Sequence, residues 1–213
     1  DLKRSMIGYS DKKIYRSGHS LQGWWRLNES LASGDAVDSS GRLRPGTFDA
    51  SGDRPTFQTA VGPGQFIQQG SSLFDGTDDG INIGTPALWN DIIGTGGGST
   101  QKMSFSTWIF KTGNGDSGNP FILNFGNGDV LIYSDSSHRI IFQVFWNGAA
   151  SIRRTTASLE LNKWYHIVIT YDTTNAANIP KIYVNGQGPY TTSELGTTPT
   201  GTRDAIADQN CYI

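Results

Sequence analysis

The stretch NKWYHIVITYDTTNAANIPKIYVNGQ (Asn162–Gln187) holds two apolar runs separated by a polar connector. In KWYHIVITYD the side chains alternate, so that Trp164, His166 and Val168 share one face of an extended strand. In KIYVNG, Ile182 and Val184 alternate in the same way, and Asn185-Gly186 offers residues that tolerate positive φ at a tight turn. The stretch therefore predicts two paired strands of a sheet, with Trp164 as a core anchor. Its connector, TTNAANIP, is longer than a two-residue turn and is expected to bulge into solvent. A histidine in such a strand reads as a hydrogen-bonded sheet residue rather than a ligand, so the stretch is framework.

Outward from it, the same pattern recurs. MSFSTWIFK (Met103–Lys111) places Met103, Phe105, Thr107 and Ile109 on one face and Ser104, Ser106, Trp108 and Phe110 on the other. With aromatics on both faces it reads as an inner strand, Trp108 being core. PFILNFG, DVLIYS and RIIFQVFWNG follow, each bounded by Gly, Asp, Asn or Ser, and ASIRRTT reads as a polar edge strand. Earlier in the chain GWWRLNE, QFIQQ, SSLFDG and DDGINIG read as short strands. PALWNDIIG (Pro86–Gly94) is the one helix candidate, with Pro86 at its first turn and Gly94 just past its end. Ten to twelve strands with at most one short helix predict an all-β fold, a two-sheet antiparallel jelly-roll sandwich.

Composition agrees. The chain has 27 glycines, 11% aromatic residues and only 17% charged residues in a length of 213, which suits one domain of aromatic-rich strands and tight turns. The net charge of −2 argues against general nucleic-acid affinity. Lys3, Arg4, Lys12, Lys13 and Arg16 against Asp1 and Asp11 give residues 1–20 a charge of +3, which leaves −5 on the rest. Residues 1–20 thus read as a basic arm and residues 21–213 as the domain. Cys211 is the only cysteine, so no intrachain disulfide can form. No apolar run is long enough to span a membrane. The first residue is not Met, as a processed, trimmed or incomplete N-terminus would give.

Taken in order, GWWRLNE, DSSG, FDGTDDGINIG, MSFSTWIFK, NKWYHIVITYD and KIYVNGQ resemble the laminin G-like branch of the concanavalin A-like lectin/glucanase superfamily. The resemblance covers about residues 21–213 and implies a jelly roll of two antiparallel sheets. Members usually continue into a final strand that returns to the first one. Because this chain stops at QNCYI, the resemblance implies that one or two last strands are missing, leaving an open edge that could pair with another chain.

The superfamily includes glucan hydrolases, which need two carboxylates roughly 5–9 Å apart around one bond. Those of this fold carry a Glu-x-Asp-x-x-Glu run, and here Glu29, Glu160 and Glu194 are scattered without such neighbours. No nucleophile elbow, metal-spaced histidines or phosphate loop appears either. The expectation is that the protein is not an enzyme. Calcium is the one cofactor that the resemblance implies, held by Asp side chains in loops. The candidates are Asp35 and Asp38 in DAVDSSG and Asp75, Asp78 and Asp79 in FDGTDDG, with Asx turns as the competing reading.

Glycan binding would use exposed aromatics and amides. Trp146 and Asn147, at a strand end beside a turn, and Trp89, in the helical segment, are the candidates. One of Trp24 and Trp25 must point outward if both lie on a strand. Asn28-Glu29-Ser30 is a formal glycosylation sequon. Two functions fit. One is a non-catalytic lectin-like recognition or adhesion module on an extracellular or virion surface, binding glycan or protein. The other is a virion or surface-assembly protein tying neighbouring subunits together through its arm and open edge, as a homo-oligomer or larger assembly.

Overall fold

The computed structural model of the chain describes residues 21–28, 35–48, 54–58, 70–89, 92, 102–115, 120–126, 128–146, 149–190, 192–195, 198–201, 203 and 210–213. The predicted arm at residues 1–20, the strand predicted at QFIQQ and the candidate Asn147 lie outside them.

Among the described residues thirteen strands run as β1 (Thr47–Phe48), β2 (Thr56–Gln58), β3 (Ser71–Leu73), β4 (Ile81–Gly84), β5 (Lys102–Phe110), β6 (Phe121–Phe125), β7 (Val130–Ser134), β8 (Ile140–Trp146), β9 (Ala149–Thr155), β10 (Trp164–Asp172), β11 (Lys181–Val184), β12 (Thr192–Glu194) and β13 (Cys211–Tyr212). Of the helix candidate Pro86–Gly94, Pro86–Trp89 form a 3-10 helix opened by Pro86 as expected and Ile92 is helical, while Asn90, Asp91, Ile93 and Gly94 lie outside the described residues. The described part of GWWRLNE, Gly23–Asn28, forms no strand. Its one sheet-like contact is an isolated bridge from Trp25 to Asp38.

The strands make a large antiparallel sheet, ordered β1-β4-β13-β6-β7-β8-β9-β12, a small one, β11-β10-β5, and a separate β2-β3 pair. The two main sheets face each other. Val130, Ile132, Ile140, Phe142 and Val144 from the large sheet share one core with Met103, Ile167, Ile169, Ile182 and Val184 from the small one. Rings meet across the interior, Phe105 against Phe142 at 6.1 Å and Phe142 against Tyr171 at 5.7 Å between centroids. This is the predicted all-β jelly-roll sandwich, with the inward rows of its two main sheets meeting in the core.

The stretch that opened the reading holds its register. Ile167 pairs with Val184 and Ile169 with Ile182, while Asn185 and Gly186 both take positive φ at 51° and 74°. A two-residue turn of that kind matches the twist of the strands it joins. The connector behaves differently from expectation. Instead of only bulging outward, it folds back on the strand end: the Asp172 carboxylate accepts from Thr174 N, and Asn178 Nδ2 donates to the Asp172 carbonyl at 2.9 Å. Thr173 is buried beneath it.

Among the described strands, two expectations about strand position are corrected. β5 was expected inside its sheet and stands at one end of the β11-β10-β5 order. The segment ASIRRTT was expected at an edge, yet β9 is flanked by β8 and β12. The last residues of the sequence enter the large sheet, whose described order ends at β1 and β12. β13 lies between β4 and β6, and Ile213 exchanges both backbone hydrogen bonds with Ile81 at 3.0 Å. Cys211 is sealed there, and burial pushes its thiol pKa up to about 12, so it is an inert core residue.

Candidate functional site

The two tryptophans expected to meet ligand are core residues. Trp89 is 2% exposed, donates its indole N–H to the Ile83 carbonyl at 3.1 Å, and packs edge-on against Trp25 and Phe125. Trp146 is 3% exposed and continues the inward row of Ile140, Phe142 and Val144, with the buried Arg203 bridging to its backbone. Neither ring offers a face to a ligand. Of Trp24 and Trp25, the first is exposed and the second packs inward, as expected for neighbours on extended backbone.

Trp108 and Trp164, read as core from the sequence, lie on the outer face of the small sheet. Met103 is buried and sets the parity of β5, which sends Lys102, Ser104, Ser106, Trp108 and Phe110 outward. Trp108 is 44% and Phe110 37% exposed. The pairing then stacks these residues against β10 in cross-strand rows: Phe110 with Trp164, Trp108 with His166, Ser106 with Val168, and Ser104 with Thr170. From β11, Tyr183 joins the Val168 row and Lys181 the Thr170 row.

One end of this face is an aromatic platform. The Trp108 and His166 rings stack at 5.0 Å with an interplanar angle of 26°, and Phe110 lies 5.4 Å from Trp164. His166 is held on both sides. Its Nε2 shares a 2.9 Å hydrogen bond with Ser106 Oγ, and its backbone N–H donates to Asn185 Oδ1 at 2.8 Å. It is the hydrogen-bonded sheet histidine that the sequence predicted, and it also braces Trp108.

The other end is a cavity of about 590 Å³ between the start of β5, the end of β10 and the folded-back connector. Lys102, Ser104, Thr170, Asp172, Asn178 and Lys181 are among its lining. Lys102 Nζ lies 3.3 Å from Asp172 Oδ2. Hydrogen bonds from Thr174 and then Lys102 hold the Asp172 carboxyl below the usual range, so it is ionised at neutral pH. The face thus joins planar rings, hydroxyls and charged groups in one continuous strip, the mixture by which sugars are bound. The outer face of the large sheet also exposes rings, at Phe121 and Phe145.

The two Asp loops differ. Asp38 accepts four hydrogen bonds, from Trp24 N and Ser40 N on Oδ1 and from Ser40 Oγ and Arg44 N on Oδ2, at 2.7–3.0 Å. Its carboxylate is spent on closing the loop, which is the Asx-turn reading. Asp35 is exposed. Asp75, Asp78 and Asp79 instead bring their carboxylates within 4.8 Å of one another. The turn is shaped by Asp75 N donating to Asp79 Oδ2 and Thr77 N to Asp75 Oδ1. Gly76, at φ 83°, packs so closely on Gly115 that a side chain on either would collide with backbone. Three hard oxygen donors so near one another fit an oxygen-seeking divalent cation, which would relieve their mutual repulsion.

No curated protein is similar enough in sequence to count as a relative of this chain. The family of the concanavalin A-like lectin/glucanases superfamily with laminin G-like domains matches residues 75–208. That range takes in β4 through β12, most of both main sheets and the aromatic strip. With more than half of its length matched and the sandwich in place, the chain belongs to the laminin G-like branch of the concanavalin A-like lectin/glucanases superfamily.

Proposed function

We propose that this protein is a non-catalytic recognition module that binds glycan on the outer face of the β5-β10-β11 sheet. The observation that supports it is the platform of Trp108, Phe110, Trp164 and His166, with two rings more than a third exposed beside sheet hydroxyls. A sugar ring presents an apolar C–H face and a rim of hydroxyls. Exposed aromatics take the first, and Ser, Thr and Asn side chains take the second. The stacked His166 matters because it immobilises Trp108 before ligand arrives, which lowers the entropy lost on binding.

The family contains both lectins and glucanases, and the non-catalytic reading draws on the described carboxylates. Glu160 is exposed and paired to Lys163, and Asp172 is committed to Thr174 and Lys102. Neither faces a second carboxylate across the platform. Asp75, Asp78 and Asp79 would hold a calcium ion, whose role would be to stiffen the 75–79 turn against the facing loop at Gly115.

The test is a glycan array followed by titration calorimetry on the strongest hit. Trp108→Ala should weaken that hit at least tenfold, while Phe121→Ala, on the other sheet, should leave it unchanged. A protein that binds no glycan, or one whose binding ignores Trp108, would sink the reading.

A further inference from the structure

The strip has a chemical polarity that the aromatic platform alone does not explain. Four residues along β5 from the Trp108 row, about 13 Å away, lies a row made of Lys181, Thr170 and Ser104 side by side. All three line the cavity beneath the connector. Lys102, in the next row, is neutralised by Asp172 at 3.3 Å. Lys181 makes no ion pair among the described residues, and neither hydroxyl is engaged by another described side chain. The result is one uncompensated ammonium at the end of a row, followed by the Thr170 and then the Ser104 hydroxyl, in a concave site on a protein whose net charge is −2. Three donors in a row across adjacent strands, spaced about 4.8 Å apart, suit a group with several acceptor oxygens and a negative charge.

We propose that this face takes an acidic glycan: a carboxylate or sulfate on one sugar unit docks on Lys181, Thr170 and Ser104 in the cavity while another unit of the same chain stacks on Trp108. The separation of the two rows exceeds one pyranose ring, so the acid group and the stacked ring belong to different units. The inference rests on the reading of the strip as a glycan site, and it adds the class of glycan and the residues that select it. Lysines on outer strands also serve to discourage strand pairing between molecules. That role would leave binding selectivity untouched, so binding measurements separate the two.

The experiment titrates the full chain with three probes: a heparin-derived hexasaccharide, trigalacturonate and cellohexaose. Both or either of the anionic probes should bind at least tenfold tighter than cellohexaose, and which of them does so assigns sulfate or carboxylate as the group held. Lys181→Ala should narrow that gap about tenfold, the loss expected for one charge-assisted hydrogen bond, and added salt should narrow it in the wild type. Equal affinity for all three probes with a silent Lys181→Ala overturns the acidic-glycan inference and leaves the glycan reading standing. Anionic binding that ignores Trp108→Ala is ion exchange and overturns the inference as well. No binding of any probe, together with an empty glycan array, overturns both. Each variant changes an exposed side chain, and an unchanged melting temperature shows that it is folded.

Discussion

Trp89 and Trp108 are the same side chain in opposite circumstances. Trp89 is sealed between Trp25 and Phe125, with its one polar atom satisfied by the Ile83 carbonyl and the Arg44 guanidinium 4.9 Å above its ring. Trp108 lies almost half exposed, braced from one side only, by His166 and the Ser106 hydroxyl behind it. The first has no face left for anything outside the chain. The second is stacked on His166 and 44% exposed to solvent. Burial tells where a tryptophan stabilises, and on the glycan reading proposed above a half-exposed, braced ring is where recognition would take place.

The comparison is broken most directly by truncating each ring. Trp89→Ala should cost about 4 kcal/mol of unfolding free energy, because it opens a large cavity at the junction of three aromatic rings and orphans the Ile83 carbonyl. Chemical denaturation reads this as a lower midpoint at an unchanged slope. A loss below about 1 kcal/mol would mean that the Trp89 pocket is not the packed core described.

These opposite placements show what the sequence carries and what it does not. Strand periodicity separated the two faces of β5 and of β10 correctly, down to Trp164, His166 and Val168 sharing a side. Periodicity gives parity, however, and says nothing about which parity is inside. In MSFSTWIFK both parities carry aromatics, so Trp108 looked like core. The clue was the company it keeps: Ser104 and Ser106 share its face, while Met103 and Ile109 share the other. Trp146 was legible by the same logic, since it has the parity of Ile140, Phe142 and Val144. β13 was not legible. Two residues, Cys211 and Tyr212, have no period to read, and only the register offered by β4 and β6 makes them a strand. The cavity was equally hidden, because it depends on a connector that folds back through Asn178 rather than on any motif.

The same contrast between spent and offered groups holds for the carboxylates. Asp38 closes its loop with four hydrogen bonds, three of them to backbone amides. Asp38→Ala should therefore lose about 2 kcal/mol and loosen the loop, which hydrogen exchange at the Trp24, Ser40 and Arg44 amides would report as faster opening. Asp75→Ala, at the rim of a turn whose carboxylates crowd one another, should cost less than half of that. Equal costs would place both loops in one class and remove the distinction between a loop-closing and a converging carboxylate.

Asp135 sharpens it further, because its effect carries a pH signature. It accepts from the Ser137 and Arg139 amides and pairs with the Arg139 and Arg154 guanidinium groups at 2.8 and 3.5 Å. Burial alone would raise its pKa, but the Arg139 and Ser137 bonds outweigh that and hold it below the ordinary value of 3.8. A depressed folded-state pKa means that the carboxylate stabilises the fold above 3.8 and that this contribution fades as the pH falls through the lower folded value. Asp135→Asn should thus cost about 1–2 kcal/mol at neutral pH, with the gap to wild type closing in acid below 3.8. A gap that stays constant into acid would show that the ionised form is not what the loop uses.

The smallest expected change in stability belongs to Trp108→Ala, and its smallness is the point. Among the described residues the ring stacks on His166 and is 44% exposed, so its removal should shift the unfolding free energy by less than about 1 kcal/mol. His166 keeps its backbone partner Asn185 and its bond to Ser106, so the sheet beneath has no cause to rearrange. Set beside Trp89→Ala, the ratio of the two costs measures how far each ring serves the fold. If Trp108→Ala proved as destabilising as Trp89→Ala, the platform would be a structural surface, and the case for recognition on this face would lose its foundation. If it leaves stability intact while abolishing glycan binding, the exposed ring is held there for its ligand.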